Sequence, residues 1–469
     1  MIINQLSEYL IDLKYEDIPE EAIEKAKLCF IDYLAVYLRG LESENAKIAI
    51  KTIYELHNGD FNSLNKAFIN GIASHSLDLD DGHRLAQLHP GSVVFSTILA
   101  MVSDKNLDLD ISGEEFFEAV ISGYEIAIVL GMMLNPNHRN QGFHSSGTIG
   151  SIAAGAVASK FLNLDIEKTE HCLGLATTQS SGLLEADHAG TMGKSLHIGN
   201  AVYNGIISAF LAKNGFTGGE SLIDGKEGFI KAMASEVYDD FSDENGNIDY
   251  EKIAEFLDNN LNKFHINEVY LKKYPFCRHI HSAIDSALVL KEELNELELD
   301  NLENINSIDI DTYRIASEHD NCNPKNIQEL KQSLPYAVAI SLACDKVSLD
   351  SIDELIDKGL FSEEASEEEI LKIKNIANKI NVYENENLNQ LTPEKRPSKV
   401  MIKYNDKIQE NTTYYPLGEV ENPLLMEDIL EKFRLLNPKF NMNKLQIIKH
   451  TEDNSIRDVF SELGLLDNQ

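Results

Sequence analysis

Apolar residues recur three and four positions apart over most of the first 265 residues, which is the spacing of one face of an α-helix. The best-marked helix follows Pro19, carries acidic residues in its first turn and stops at Gly40. The same spacing predicts helices over Ala46–Leu56, Lys66–Leu77, Val93–Val102, Gly113–Leu134, Gly147–Leu162, Ile166–Thr178, Ser195–Lys213 and Tyr250–Asn262. Since no convincing alternating run interrupts them, this part of the chain is predicted to be a large all-helical domain.

The pattern changes near residue 268. Residues Ile305–Ile315 alternate between polar and apolar, as a half-buried strand does, and a hairpin is predicted around Asn405 and Asp406. Helical spacing returns over Pro335–Cys344, Met426–Leu435 and Ser455–Leu465. The predicted fold is therefore mainly α. It has a helical domain over residues 1–267, to which residues 422–469 return, and a smaller α+β lid domain over residues 268–421, inserted before the C-terminal helices.

Composition narrows the classes of partner. The 469 residues are too many for one compact core, so two domains, or three, are expected. A formal charge of -36 argues against nucleic acid and anionic membranes as partners, and it makes lysines and arginines within polar motifs informative. The longest apolar region, Ile149–Leu162, is too short to span a bilayer, and no signal peptide precedes the first helix. Five scattered cysteines without a zinc-ligand spacing suit a reducing cytoplasm.

The stretch from His75 to Gly91 concentrates titratable side chains. Within it lie three carboxylates, three imidazoles and a guanidinium, which belong to Asp78, Asp80, Asp81, His75, His83, His89 and Arg84. If the preceding helix runs on for one more turn, Asp78 and Asp81 share a face with His75. Such a cluster suits proton transfer between groups with tuned pKa values, or a Mg²⁺ or Mn²⁺ site. A solvated acidic turn is the alternative.

Three further motifs carry candidate chemistry. His144 lies between glycines just before a tightly packed helix, and Lys194 lies at the start of another helix after flexible glycines. The segment Lys272–His281, with Arg278 and His281, is a basic cluster where the domains change. Each motif suits the binding of a substrate carboxylate. The alternatives are a structural histidine, a solvated lysine and an ordinary linker, respectively.

Together, these motifs offer proton donors, proton acceptors and cations. The sequence has no Gly-rich dinucleotide loop, no cysteine metal site and no serine nucleophile elbow. The residues alone therefore predict a cofactor-free lyase or isomerase that acts on a di- or tricarboxylate. A base would remove a proton α to a carboxylate, and cations would stabilise the charge that develops. A metal-dependent hydrolase built on the Asp/His cluster and a non-catalytic carboxylate-binding protein stay open as alternatives.

At these motifs the chain resembles the MmgE/PrpD family, which includes 2-methylcitrate dehydratase, cis-aconitate decarboxylase and iminodisuccinate epimerase. The resemblance extends over nearly the whole chain and rests on Phe30–Leu34, Asn70–Gly71, His75–Asp81, His89–Gly91, Gly123–Glu125, Gly142–Thr148, Gly193–Ala201, Gly215–Gly218, Gly225–Phe229, Lys272–His281, Ser333–Ala339 and Asn422–Pro423. It implies a helical domain capped by an α+β lid with the site between them, a homodimer, and no obligatory cofactor or metal.

Residue by residue, the resemblance places the family's active-site positions on Asp78, His89, His144, Lys194 and Lys272, which are the catalytic candidates, with Arg278 and His281 nearby. Arg278 and His281 are substrate-binding candidates, together with Asp81, His83 and Arg84 from the titratable stretch. His144 or His89 would transfer protons, the lysines and Arg278 would bind carboxylates, and Asp78 would orient a histidine.

The resemblance also has a departure. Decarboxylase and dehydratase members typically carry Thr-Trp where this chain has Gly82 and His83, and one additional residue precedes His89. A 2-methylcitrate dehydratase-like hydro-lyase in cytoplasmic propionate metabolism is the leading expectation. An iminodisuccinate epimerase-like isomerase and a cis-aconitate decarboxylase-like enzyme are the alternatives.

Overall fold

Two compact units make up the chain in the computed structural model, which describes residues 1–57, 59, 61–107, 109–296, 304–404 and 407–466. The first unit consists of Met1–Ala186, Met192–Tyr270 and Leu425–Gln469, and the second consists of Asp187–Thr191 and Leu271–Leu424. The described elements are mainly helices with few and small sheets, which confirms the predicted fold class.

Helices form nearly all of the first unit. In chain order they are α1 (Ile2–Asp12), α2 (Glu20–Gly40), α3 (Glu44–His57), α4 (Ser63–His75), α5 (Pro90–Val102), α6 (Gly113–Leu134), α7 (Asn137–Asn140), α8 (Ser145–Phe161), α9 (Ile166–Thr178), α10 (Glu185–His188, across the unit boundary), α11 (Gly193–Lys213), α12 (Phe229–Met233), α13 (Ser235–Asp240) and α14 (Tyr250–Asn260). Apolar spacing predicts the bounds of α6 and α9 to the residue, because both carry long unbroken apolar faces.

Helix α4 ends earlier than its apolar spacing predicts. Asn62 caps its start by accepting two backbone N–H groups, and the last helical residue is His75. Three residues later, Asp78 takes a left-handed backbone conformation with φ of 55°, which aspartate tolerates better than most residues. The prediction that Asp78 and Asp81 continue a helical face with His75 is therefore wrong. The carboxylates lie on a loop.

Helices α4, α8 and α11 form the close-packed centre of the first unit. The small residues of α8 allow this approach, and at Gly205 of α11 any Cβ would overlap Ala154 of α8. Helix α6 is long and apolar enough to cross a membrane, with a mean hydropathy of 1.7 over its best window, but 89% of that window is buried. Its apolar residues therefore serve the core.

A two-stranded ladder interrupts the helices of the first unit. Strand β1 (Gly82–His83) pairs antiparallel with β2 (Val269–Tyr270), so the prediction of an all-helical domain is wrong at this point. Two-residue strands are too short to produce an alternating pattern. Gly82 is required by packing, because a Cβ there would overlap the hydroxyl group of Tyr270.

The second unit combines seven helices and one four-stranded sheet among its described residues. They are α15 (His281–Glu296), β3 (Ile305–Thr312), α16 (Arg314–Ser317), α17 (Ile327–Lys331), α18 (Leu334–Ala343), α19 (Leu349–Asp357), α20 (Glu368–Ala377), β4 (Ile380–Glu384), α21 (Glu386–Asn389), β5 (Ser398–Tyr404) and β6 (Lys407–Thr413). The strand order is β4-β3-β5-β6, and only β3 and β4 are parallel.

One face of this sheet forms the core of the second unit. Ile308 and Ile310 of β3 pair with Ile402 and Val400 of β5, and all four side chains are fully buried. Helix α15 covers β5 and β6, and α18 packs between α15 and α20. The strand predicted over Ile305–Ile315 ends at Thr312, where the chain turns into α16.

The last helices, α22 (Met426–Leu436) and α23 (Ile456–Leu463), belong to the first unit. Between them, Met442–Asp453 forms irregular 3-10 turns. Lys432 of α22 donates to the buried carboxylate of Asp32 on α2 at 2.7 Å and to the carbonyl oxygen of Leu79 at 2.8 Å. This contact fixes the loop that carries the acidic residues of the His75–Gly91 stretch.

Candidate active site

The end of α4, the following loop and the start of α5 bring His75 and Asp80 together. The side chain of His75 is completely buried, and its Nδ1 lies 2.7 Å from Oδ2 of Asp80. Ser92 of α5 donates to the same oxygen at 2.6 Å. Because a carboxylate only accepts, Nδ1 of His75 carries a proton. Its Nε2 is buried and has no hydrogen-bond partner within the described part of the chain.

His89 is held at the start of α5. Its Nδ1 donates to the backbone carbonyl of Asp81 at 2.6 Å, and its backbone N–H donates to Oγ of Ser146 at 3.0 Å. The ring also lies beside Asp80, with Nδ1 3.5 Å from Oδ2. Since Nδ1 is the donor, Nε2 is the basic nitrogen of this imidazole.

His144 occupies the N-cap of α8. Its backbone N–H donates to the carbonyl of Gly182 at 3.0 Å, and its Nδ1 lies 3.1 Å from Nδ1 of His197 on α11. Burial lowers the pKa of His144 well below its usual value, and the nearby charges of His75, Lys194, His197 and His89 lower it further. At neutral pH His144 is therefore an uncharged imidazole, able to accept a proton.

Four imidazoles form a row in the first unit. Ring centroids lie 4.8 Å apart between His89 and His75, 5.8 Å between His75 and His144, and 5.3 Å between His144 and His197. We call these four residues the histidine row. Like charges this close oppose one another, so the row cannot hold a proton on every ring as a cation. It is suited to moving single protons.

The row has a cation and an anion beside it. Lys194, in the first turn of α11, donates to both oxygens of Asp78 at 3.4 and 3.3 Å. Because Lys194 lies three residues before His197, both side chains share a face of α11. The left-handed backbone at Asp78 gives its carboxylate the position in which it meets this lysine.

Asp81 is buried beneath the start of α5. Tyr124 of α6 donates to its Oδ2 at 2.6 Å, and the backbone N–H of Gly91 donates to its Oδ1 at 3.0 Å. Burial raises the pKa of Asp81 to about 7, although these two hydrogen bonds act in the opposite direction. The bonds hold the loop against α6. The predicted role of Asp81 in substrate binding stays a prediction.

His83 belongs to a second group, which we call the Glu268 cluster: His83, His265 and Glu268. The backbone N–H of Ala86 donates to Nδ1 of His83 at 3.1 Å, so Nε2 carries the proton and donates to Oε2 of Glu268 at 3.1 Å. His265 donates through Nδ1 to the same oxygen at 3.1 Å and through Nε2 to the carbonyl of Asn260 at 3.0 Å. Both nitrogens of His265 face acceptors, so it is an imidazolium.

Charges explain the protonation in the Glu268 cluster. Burial disfavours the charged form of His265, but the hydrogen bond to Glu268 and the charges of Glu125 and Glu268 outweigh it and raise the pKa of His265. Hydrogen bonds from His265 and His83 lower the pKa of Glu268. Arg84 follows in the turn after β1 and is half-buried.

Two groups meet the distance criterion for a metal ion among the described residues. One group is His75, Asp80 and His89, and the other is the Glu268 cluster. In each group the ligand atoms lie within 4.8 Å of one another. In the first group, Nδ1 of His89 donates to the backbone carbonyl of Asp81, so this nitrogen carries a proton and does not suit a metal ion in this arrangement. With Nδ1 of His83 accepting from Ala86, an ion on Nε2 would require an imidazolate.

Arg278, in the second unit, is a buried anchor. Its Nε and Nη2 each lie 3.1 Å from Oε1 of the buried Glu419. Its Nη1 and Nη2 donate to the carbonyls of Leu417 and Pro416 at 2.9 and 3.2 Å. These contacts stabilise the loop before Leu424. Carboxylate binding by Arg278 stays a prediction.

Lys272 and His281 also lie in the second unit, and both are buried. Nδ1 of His281 accepts from Nη1 of Arg278 at 3.1 Å, and its Nε2 donates to the carbonyl of Phe276 at 3.0 Å. Both ring nitrogens are therefore used within the unit, which indicates that this histidine has a structural role. Its predicted role in substrate binding stays a prediction.

The predicted site residues are divided between the two units. Asp78, Asp81, His83, Arg84, His89, His144 and Lys194 lie in the first unit, and Lys272, Arg278 and His281 lie in the second. His197 and the pairing of His75 with Asp80 were missed as site features. The signal for His197 was its position one turn after Lys194 on the same helix face. No sequence signal distinguishes Asp80 from its neighbours Asp78 and Asp81.

Comparison with known proteins identifies relatives over nearly the whole chain. The profile of the MmgE/PrpD N-terminal domain matches residues 4–241, and that of the C-terminal domain matches residues 274–454. A cis-aconitate decarboxylase of Aspergillus terreus is 24% identical over 93% of this chain and 89% of its own. The mitochondrial 2-methylcitrate dehydratase of Yarrowia lipolytica is 24% identical over 95% of this chain and 86% of its own.

A further relative is similar over a shorter range. The cis-aconitate decarboxylase-like protein oryM of Aspergillus oryzae is 27% identical over 68% of both chains. Decarboxylases and dehydratases of this kind are lyases, and the predicted enzyme class, a lyase of this type, is confirmed. With both family domains matched in order along the sequence, the chain belongs to the MmgE/PrpD family.

Proposed function

We propose that the protein is a cofactor-independent hydro-lyase that removes water from a 2-methylcitrate-like tricarboxylate. The observation that carries this proposal is the histidine row, because elimination of water needs two proton-transfer groups. One base takes the proton α to a carboxylate, and one acid protonates the departing hydroxyl. Neutral His144 and His89, on the two sides of His75 in the row, offer such a pair.

The reaction balances with protons alone. The C–H bond breaks as its proton moves to a neutral imidazole, the C=C bond forms, and the C–O bond breaks as hydroxide leaves with a proton from an imidazolium. The substrate loses one water molecule, and the enzyme returns to its starting state once a proton passes from the first imidazole to the second. We assign His144 as the base and His89 as the acid.

Cations would hold the substrate and the charge that develops on it. Lys194 supports this role, because its ammonium group is near enough to His144 to lower the pKa of that histidine, and a cation beside the proposed base attracts a substrate carboxylate. Lys272 is proposed as a second carboxylate ligand, from the family resemblance. In a chain with a net charge of -36, such local cations are needed to admit an anionic substrate.

Turnover of candidate acids tests the proposal. Purified protein in chelator is mixed with 2-methylcitrate, citrate and cis-aconitate, and formation of enoate is followed by ultraviolet absorbance. Enoate from a hydroxy acid, lost in His144→Gln, is the expected result. Absence of enoate from both hydroxy acids would contradict the hydro-lyase proposal.

Decarboxylation of a cis-aconitate-like acid is the second candidate. It is favoured by the Aspergillus relatives, whose names refer to cis-aconitate decarboxylation. Replacing a carboxylate by hydrogen requires one acid and no base, so the row would hold one group more than the reaction needs. Release of CO₂ from cis-aconitate, without enoate from hydroxy acids, would favour this candidate.

The remaining alternatives have their own readouts. Turnover of an amino-dicarboxylate, without water or CO₂ release, would indicate an epimerase-like isomerase. A stoichiometric divalent ion in the purified protein, found by elemental analysis, would favour a metal-dependent hydrolase.

We also propose a homodimer, as the family resemblance implies. Leu196 and Tyr203, two turns apart on α11, are exposed at 41% and 37%, so this helix presents an apolar strip. Light scattering after size-exclusion chromatography gives the mass. A mass near 52.5 kDa, that of one chain, would contradict the dimer.

A further inference from the structure

The proposed reaction uses His144 and His89 and gives no role to the pair formed by Asp80 and His75. His75 lies between His89 and His144 in the histidine row, with ring centroids 4.8 and 5.8 Å away. The sequence places both residues in the titratable His75–Gly91 stretch, but neither is among the catalytic or substrate-binding candidates. The side chains of both are buried in the first unit.

The hydrogen bonds define one open position on His75. Nδ1 is held as a donor by Asp80, and Ser92 donates to the same carboxylate oxygen from the other side. Nε2 is buried and lacks a hydrogen-bond partner among the described residues. A buried polar atom without a partner costs free energy. Such an atom is expected where a proton or a ligand group completes it.

We propose that His75, held by Asp80, is a proton-relay residue between His144 and His89. This inference rests on the proposed function, because each turnover leaves His144 with an additional proton and His89 without one. Nε2 of His75 accepts that proton, which converts its ring to an imidazolium, and then releases it toward His89. One proton enters and one leaves, so no oxidant or other reactant is needed.

The carboxylate of Asp80 makes this relay possible. At 2.7 Å it stabilises a positive charge on His75 through a charge-assisted hydrogen bond, as a buried carboxylate does for the imidazole of a catalytic triad. Asp80 also lies 3.5 Å from Nδ1 of His89, so it is close to the relay residue and to the histidine that receives the proton. His75 is thus a positioning residue that acts through its two neighbours.

A matched control exists in the same unit. His138 is also a fully buried histidine, but its Nδ1 bonds to the carbonyl of Met233 at 3.0 Å and its Nε2 to Thr148 at 2.8 Å. Burial lowers the pKa of His138 to about 4, so it is neutral under ordinary conditions. The variants His75→Gln and His138→Gln therefore each remove one buried imidazole, and only the first removes an open nitrogen.

The kinetic test compares these variants on the acid that the wild type converts. The expected result for His75→Gln and Asp80→Asn is a fall in kcat of about 10²- to 10⁴-fold with KM nearly unchanged, and an altered solvent deuterium isotope effect. Asp80→Glu should recover part of kcat. His138→Gln should lower the melting temperature without these changes. Equal kcat in His75→Gln and His138→Gln at 25 °C would overturn the relay.

A spectroscopic test does not require turnover, so it separates this inference from the proposed function. With ¹⁵N-labelled histidine, the resonances that disappear in His75→Gln belong to His75. The expected pattern at neutral pH is a protonated Nδ1 and a bare Nε2, lost in Asp80→Asn. A His75 protonated on Nε2 alone would overturn the proposal, even in an enzyme that converts 2-methylcitrate.

Discussion

The histidine row with its neighbour Asp80, and the Glu268 cluster, each combine imidazoles with a carboxylate in the same unit, yet their hydrogen bonds differ. In the Glu268 cluster, both ring nitrogens of His83 and His265 are bonded to protein groups. In the histidine row, His75 has a buried Nε2 with no partner among the described residues. Distance alone does not separate the two regions, because the ligand atoms of His75, Asp80 and His89 lie within 4.8 Å of one another, as do those of the Glu268 cluster.

The difference shows that residue composition does not distinguish a structural cluster from a catalytic one. The distinction lies in saturation, which means that every polar atom of the cluster has a hydrogen-bond partner. A saturated cluster stabilises the fold because each donor meets an acceptor. An open nitrogen destabilises the fold slightly and is available to a substrate. The Glu268 cluster should therefore affect stability, and the histidine row should affect turnover.

The largest expected effect is on turnover through the row. Replacing His144 by glutamine removes the proposed base, and we expect kcat to fall by about 10²- to 10⁴-fold with little change in melting temperature. Steady-state kinetics on the converted acid provide the measurement. His265→Gln is the control, and the comparison between the clusters fails if this control loses turnover to the same extent.

The next effect concerns the carboxyl group beneath the row. Burial raises the pKa of Asp81 to about 7, so its protonated form stabilises the fold below the unfolded pKa near 4, and this contribution is lost as pH rises through 7. Asp81→Asn should therefore gain stability relative to wild type between pH 5 and 8, by up to about 4 kcal/mol. Urea unfolding at several pH values measures the difference. A pH-independent difference would contradict the buried carboxyl group as its cause.

A smaller effect is expected in the saturated cluster. His265→Gln removes a buried cation and leaves the carbonyl of Asn260 without its donor, which should cost about 1–3 kcal/mol of unfolding free energy. Turnover should stay close to wild type. If His265→Gln lost turnover while its stability stayed unchanged, the Glu268 cluster would have a catalytic role like that of the histidine row.

The smallest effect should come from Glu268, whose side chain is 51% exposed and therefore partly screened by solvent. The lowered pKa of Glu268 means that its carboxylate stabilises the fold above the unfolded pKa, and this contribution is lost on acidification. The raised pKa of His265 means that its imidazolium stabilises the fold below the unfolded pKa, and this contribution is lost on alkalinisation. The pair is thus fully effective between about pH 4.5 and 6.5. Glu268→Gln should flatten this maximum, as thermal melts across pH would reveal.

Much of the fold could be predicted from the sequence because long helices with apolar faces dominate it. Helix α6 needs no tertiary information to be located, since its capping box at Ser112 and its apolar run are both local. Strands β1 and β2 could not be predicted, because two residues are too few to show a period. The two strands are also about 187 positions apart along the chain, with Gly82 paired to Tyr270 and His83 to Val269. Their pairing depends on the packing of Gly82 against Tyr270.

The site was predictable in its residue types and less so in its geometry. The density of histidines and carboxylates after α4 identifies the region, and Lys194 and His144 stand in motifs with flexible glycines. The geometry depends on two contacts that arise only when the loop folds. Asp80 bonds to Nδ1 of His75, whose Nε2 stays open, and the backbone N–H of Ala86 bonds to Nδ1 of His83. Loop conformation, set here by the left-handed Asp78, is the part that periodicity does not report.

The contact of Lys432 with Asp32 and Leu79 has a consequence for biosynthesis. Asp32 is buried on α2, and the loop after α4 is already made when the ribosome reaches the second unit. Until residue 432 emerges, the carboxylate of Asp32 lacks this counter-ion, and the carbonyl of Leu79 lacks this donor. A nascent chain therefore carries all the histidines of the row before the contact that fixes the loop after α4 can form, and we expect activity only after that contact has formed.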